Sequence, residues 1–138
     1  MYEQAIEQKH AKASYDLAIL YYQGLGVAQN LKKARELFEE AANQGVAAAQ
    51  YQAGMIYYKG EGTLANLDKV LNYFQKAALQ GYGKAQFNLG AMYANGEGVE
   101  EDPKMALYWF QKAAEQGIKV PENLMVSLRA ELAKRGDL

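Results

Sequence analysis

The chain has no cysteine, which excludes disulfide bonds and thiolate metal ligands. Its one histidine, His10, has no cysteine to join it in a metal site or a nucleophile–base pair. The formal net charge of -1 lacks the basic excess that nucleic acids select. No run of 18 apolar residues occurs, so no membrane insertion is expected. The overall composition is that of a globular protein, since half of the 138 residues are hydrophobic.

The first ten residues, MYEQAIEQKH, lack the basic start and apolar stretch of a secretory signal. Together with the absence of cysteine, this favours a cytoplasmic protein. A periplasmic protein or an excised fragment fits the same residues, because a processed chain would look alike.

A 36-residue period organises the chain. Segments 10–45, 46–81 and 82–117 align without gaps, and nine positions are identical in all three. In the first segment these positions are Ala13, Tyr21, Gly24, Gly26, Phe38, Ala41, Ala42, Gln44 and Gly45. A fixed period of this length indicates structural repeats that stack, because a single unit cannot bury its apolar face alone.

Each segment has the pattern of a helical hairpin. The core side of the first helix is predicted from helical spacing at Ala13, Leu17, Leu20 and Tyr21. Gly24 then predicts a helix end. Asn30, like Asn66 and Asp102 at the same position of the later repeats, is a favourable N-cap for the second helix. The predicted helices span 11–22, 31–44, 47–58, 67–80, 83–94 and 103–116.

Both ends depart from the repeat. Residues 2–9 match the last turns of a second helix, which predicts a partial helix that caps the stack or belongs to a longer array. Residues 121–135 predict a final helix that covers the third hairpin, with leucines every four residues on one face: Leu124, Leu128 and Leu132. The predicted fold is all-α, a single domain over 1–138 in which three hairpins form a solenoid between terminal capping helices.

The repeat resembles the Sel-1-like repeat, a relative of the tetratricopeptide repeat. The third segment carries the motif most fully, at Ala85, Leu89, Gly90, Tyr93, Gly96, Gly98, Val99, Asp102, Ala106, Trp109, Ala113, Ala114 and Gly117. The resemblance covers about residues 10–117, with departures from the pattern at Ala53, Thr63 and Met105. It implies a right-handed α/α superhelix that serves as an adaptor or scaffold for protein complexes and is common in bacteria. Some disulfide-rich bacterial relatives bind β-lactam-like ligands, and the missing cysteines set this chain apart from them.

Two features that could suggest chemistry have structural interpretations. His10 is expected on the surface, in the turn between the partial helix and the first full hairpin. The Gly24-Leu25-Gly26 loop follows a helix rather than a strand, so it is interpreted as a helix stop and not as a phosphate-binding loop.

Adjacent carboxylates such as Glu39-Glu40 and Glu100-Glu101 are expected on solvated helix faces and loop tips. General acid–base catalysis needs a carboxyl group with a shifted pKa, usually a buried one. We therefore predict no catalytic residue, no metal ligand and no cofactor.

The candidate binding surface is the outer face of the first helices, which line the concave side in helical-hairpin solenoids. This face varies between repeats, whereas the core positions do not. Its predicted residues are Asp16, Ile19, Tyr22 and Gln23, then Gln52, Met55, Tyr58 and Lys59, and finally Asn88, Ala91 and Asn95. Apolar, aromatic and amide side chains in one groove suit an extended peptide or a partner helix.

The leading hypothesis is a non-catalytic scaffold that binds a protein or peptide of unknown identity in this groove. The terminal faces are candidates for self-association. The alternative is a module that binds a small ligand or a cell-wall carbohydrate, for which tyrosine-rich surfaces are suited. A hydrolase is a remote alternative, because no convergent polar cluster is evident in the sequence.

Overall fold

The computed structural model describes residues 2–136, with side chains from residue 8 onward, and this part of the chain is helical without a strand. It contains seven helices: α1 (Tyr2–Gln23), α2 (Leu31–Asn43), α3 (Ala47–Lys59), α4 (Leu67–Leu79), α5 (Gly83–Asn95), α6 (Pro103–Glu115) and α7 (Glu122–Lys134). The predicted bounds of α2 to α7 are confirmed to within one residue at each end.

The prediction for α1 was wrong. The turn expected at His10 and the separate partial helix over 2–9 do not form, because α1 runs unbroken from Tyr2 to Gln23. Lys9 stands at the repeat position of Gly45 and Gly81, which follow α2 and α4 with φ of 93° and 88°. A lysine at such a φ would bring its Cβ against the backbone, so the helix continues through this position.

The predicted helix caps are confirmed. The side chain of Asn30 accepts a hydrogen bond from the backbone N–H of Lys33 at 3.0 Å. Asp102 accepts from the N–H groups of Lys104 and Met105 at 3.1 and 3.2 Å, so two of the orphan donors at the start of α6 are satisfied. At the other end of the first helices, Gly60 takes the left-handed conformation with φ of 69°.

Contacts divide the chain into two compact units, Met1–Tyr73 and Phe74–Leu138, with the boundary inside α4. In unit 1, α2 packs against α1 and α3. The helices meet through fully buried alanines: Ala18, Ala34, Ala41, Ala49 and Ala53. Phe38 fills the first hairpin and meets the rings of Tyr15 and Tyr22 edge-on, with centroids 5.7 and 6.3 Å away.

In unit 2, α6 packs against α5 and α7. Phe110 is fully buried beside Phe87, at a centroid distance of 5.3 Å, and beside Gly90. The predicted cap over the third hairpin is confirmed, because α7 buries an apolar face against α6 and Phe110: Met125, Leu128 and Leu132. Burying a Leu or Met side chain contributes about 1.5–3 kcal/mol, so this cap stabilises unit 2 substantially.

One side of α1 is open. Leu17 and Leu20, predicted to face the core, are 39% and 38% exposed. The same repeat positions are buried in α5, where Leu89 and Met92 are 0% and 2% exposed. In α3, which packs against α2, the same repeat positions are Ala53 and Ile56, and both are buried. The exposure of Leu17 and Leu20 is therefore particular to α1.

Candidate interaction surfaces

Unit 1 holds eight of the predicted binding residues, on α1 and α3, and none of them is fully buried. The exposed ones are polar or aromatic: Asp16, Gln23, Tyr58 and Lys59. The half-buried ones are Ile19, Tyr22, Gln52 and Met55. This set, called the first-helix surface below, therefore combines a partly sunken apolar part with polar groups that water reaches.

Tyr22 connects α1 to the loop that follows α3. Its hydroxyl donates to both carboxylate oxygens of Glu61, at 2.8 and 3.0 Å, just after the end of α3. Burial and the neighbouring Glu61 carboxylate raise the pKa of Tyr22 above its ordinary value. Because its ring also packs on Phe38, Tyr22 is a fixed edge of the surface rather than a mobile side chain.

In unit 2 the three predicted residues differ from one another. Asn95 is exposed and Asn88 is half-buried. Ala91, expected in the middle of the open groove, is half-buried and packs against the apolar cluster that α7 completes. Ala91 therefore supports the terminal cap, and a methyl group at this position is explained by packing against that cluster.

The expectation that Glu39 lies on a solvated face was wrong. Its Oε1 accepts hydrogen bonds from the hydroxyl groups of Tyr57 and Tyr73 at 3.0 and 2.7 Å. Arg35 Nη1 lies 3.5 Å from its Oε2. Lys69 Nζ completes the group, 4.7 Å from the centroid of the Tyr57 ring. Side chains from α2, α3 and α4 thus meet around one carboxylate.

The electrostatics of this network are those of a structural clamp. Burial first, and then the hydrogen bond to Glu39, raise the pKa of Tyr73 far above the ordinary value for tyrosine. The hydrogen bond to Tyr57 raises the pKa of Arg35. Tyr73 therefore stays a neutral donor and Arg35 stays a cation at physiological pH, and the arrangement joins α2, α3 and α4.

The other carboxylates of the two predicted pairs, Glu40, Glu100 and Glu101, are exposed as expected. Glu40 Oε1 is 3.1 Å from Nε2 of His10, and Glu101 Oε1 is 3.1 Å from Arg135, with all four side chains exposed. Within residues 2–136, no group of three His, Asp or Glu side chains is arranged to hold a metal ion. None of the helices in that range is both long and apolar enough to cross a membrane.

Sequence reasoning missed a cleft of about 250 Å³ in unit 2, where the end of α4 and the start of α5 meet α6. Gln86 and Trp109 are the buried lining residues that carry polar side-chain atoms, at 3% and 8% exposure. Leu79 and Tyr108 also line it and are 77% and 47% exposed. The available signal was a glutamine next to Ala85 on the core side of α5, where an apolar residue is the ordinary choice.

The seven helices that the structure describes, with their 36-residue period, define a helical-repeat protein. The family model of the Sel1 repeat matches residues 11–46, 47–82 and 83–118. The chain belongs to the Sel1 repeat family, which confirms the predicted resemblance and the all-α repeat fold.

Three solved structures are similar to this chain. A Sel1 repeat protein from Oxalobacter formigenes matches with a TM-score of 0.77 and 32% identity, over 94% of this chain and 59% of its own. A protective antigen of uropathogenic Escherichia coli strains with the SLR fold matches with a TM-score of 0.75 and 33% identity, over 90% of this chain and 26% of its own. Cysteine-rich protein B of Helicobacter pylori matches with a TM-score of 0.68 and 20% identity, over 85% of this chain and 90% of its own. At this identity the likeness shows the fold alone.

The comparison with curated proteins found no match. This chain spans a little over half of the Oxalobacter protein and about a quarter of the Escherichia coli antigen. Sel1 repeat proteins are generally scaffolds for protein interactions without catalytic activity.

Proposed function

We propose that this protein is a non-catalytic interaction module and that the first-helix surface of unit 1 binds a segment of a partner protein. The observation that carries the proposal is the Tyr22–Glu61 hydrogen bond, which ties α1 to the loop after α3. A surface held in place before binding loses less conformational entropy when the partner docks.

The side chains on this surface suit a peptide with alternating apolar and polar contacts. Ile19 and Met55 are half-buried, so a partner side chain can cover the apolar area that they leave open. Methionine adapts its shape to such contacts at little cost. Exposed Asp16 and Lys59 supply charges of opposite sign on α1 and α3, which favour a partner segment that carries both a basic and an acidic residue.

The test is a binding measurement on peptides selected from a random library with the immobilised protein. The double charge reversal Asp16→Lys/Lys59→Glu alters only exposed positions and leaves the net charge unchanged. We expect it to weaken binding of the selected peptides at least tenfold in fluorescence anisotropy, with an unchanged circular dichroism spectrum.

The matched control is Lys32→Glu/Glu36→Lys, an equal charge reversal at exposed positions of α2 in the same unit. It should retain the affinity of the unaltered protein. Selected peptides that bind both variants as tightly as the unaltered protein would show that the first-helix surface is not the binding site.

A further inference from the structure

Two residues that line the cleft of unit 2 each have one buried polar atom without a hydrogen-bond partner in the described part of the chain. Gln86 Nε2 donates to the carbonyl oxygen of Ala78 at 3.0 Å, and this bond fixes which end of the amide is oxygen. Among the described residues, Gln86 Oε1 has no partner, and neither does the indole Nε1 of Trp109. Buried polar atoms are nearly always paired in folded proteins, so one acceptor and one donor without partners in residues of the same cleft require an explanation.

Comparison between repeats shows that the glutamine recurs and the tryptophan does not. Gln50, at the repeat position of Gln86, likewise donates to a carbonyl oxygen, that of Ala42, at 3.2 Å. The repeat position of Trp109 is occupied in unit 1 by Tyr73, whose hydroxyl donates to Glu39 at 2.7 Å. The next repeat has Gln75 where the first has Glu39. The structure thus provides an acceptor for the tyrosine of unit 1, whereas within the described residues the Trp109 N–H has none.

The lining of the cleft favours a ligand that has an uncharged polar group flanked by apolar groups. Lys112 and Glu115 lie on the cleft as an ion pair at 3.8 Å, so their charges largely cancel. Lys112 also lies 5.6 Å from the centroid of the Tyr108 ring. Leu79 and Tyr108 leave large apolar areas open to solvent beside the buried amide and indole. Alkyl side chains would cover these areas, whereas a free polar solute would not.

We propose that this cleft binds the side-chain carboxamide of an asparagine or glutamine in a peptide segment of a partner protein. The ligand N–H would donate to Gln86 Oε1, and its carbonyl oxygen would accept from Trp109 Nε1. The two unpaired atoms expose almost no surface, so the Gln86 and Trp109 side chains would shift slightly to admit the carboxamide, while the peptide backbone would stay at Leu79 and Tyr108. A cleft of about 250 Å³ has room for one such side chain.

The test uses the indole N–H signal of the only tryptophan in the chain, observed in ¹H–¹⁵N correlation spectra of the whole protein. The probe is the capped tripeptide acetyl-Leu-Gln-Leu-amide. Its matched control, acetyl-Leu-Met-Leu-amide, has the same length and apolar flanks without the side-chain carboxamide. We expect the glutamine peptide to shift the indole signal progressively, with an apparent Kd at least fivefold lower than that of the control.

Two variants test whether the preference arises from Gln86 in unit 2. Gln86→Met removes the acceptor while keeping the length of the side chain, and it should abolish the preference for the glutamine peptide over the methionine peptide. Asp16→Lys/Lys59→Glu alters only unit 1 and should keep that preference, so failure of the first-helix surface and failure of the cleft are distinguishable. A preference that persists in Gln86→Met would overturn the proposal.

Two further results would also overturn it. One is an equal shift with both peptides, which would show that the apolar flanks alone bind. The other is a shift with methyl glucoside but not with the glutamine peptide, which would assign the cleft to a saccharide.

Discussion

Leu17 and Leu89 occupy the same position of the first and third repeats, yet Leu17 is 39% exposed and Leu89 is fully buried. Leu89→Ala leaves a cavity inside unit 2, and substitutions of this kind cost about 2–5 kcal/mol. Leu17→Ala removes a side chain on the open side of α1, where water fills the vacated space. Only the transfer free energy of its buried part is lost, about 1 kcal/mol.

Urea unfolding followed by circular dichroism measures the difference. With an m-value of about 2 kcal/mol/M, Leu89→Ala should lower the midpoint by about 1–2.5 M and Leu17→Ala by about 0.5 M. Trp109 fluorescence reports on unit 2 and should follow the Leu89→Ala transition. Equal losses for the two variants would refute the assignment of an open side on α1, and would mean that Leu17 is covered in solution.

Three further substitutions test individual contacts. Gly90→Ala places a Cβ 2.9 Å from the buried Phe110 ring. We expect the free energy of unfolding, measured by thermal unfolding, to fall by about 1–3 kcal/mol; a rise would show that the ring moves aside freely. Asp102→Ala removes the α6 cap and should cost about 1 kcal/mol, an effect that serine at this position should largely restore. The raised pKa of Tyr73 predicts stability that is complete below the unfolded-state value of about 10 and is lost as pH rises through the folded-state value. Tyr73→Phe should therefore reduce the fall in urea midpoint between pH 9 and pH 11, and an unchanged fall would exclude Tyr73 as its source.

The helices were predictable because residues that begin and end helices recur at the same positions of all three repeats. Asn30 and Asp102 begin second helices through local hydrogen bonds, which depend on residues three or fewer positions away. The error in α1 arose because alignment of residues 2–9 gave weight to matching side chains. The deciding residue was Lys9, a mismatch that removes the glycine at which the chain would turn.

The candidate sites were harder to predict because they depend on contacts between distant residues. Glu39 gains its partner Tyr73 from 34 positions away, so no local pattern marks it as half-buried. Ala91 was placed on an open face because the position of α7 over α6 is a tertiary property. That Gln86 Oε1 has no partner within the described residues follows from the arrangement of α4, α5 and α6, which the sequence does not display.

The most direct test of the interaction function is to locate a bound peptide on unit 1. A photoreactive p-benzoylphenylalanine at Gln52, on the first-helix surface, and one at Lys32, on α2, can be compared with the same library-selected peptide. We predict that the probe at Gln52 cross-links the peptide and that the probe at Lys32 gives only background. Cross-linking from Lys32 with none from Gln52 would contradict a binding site on the first-helix surface.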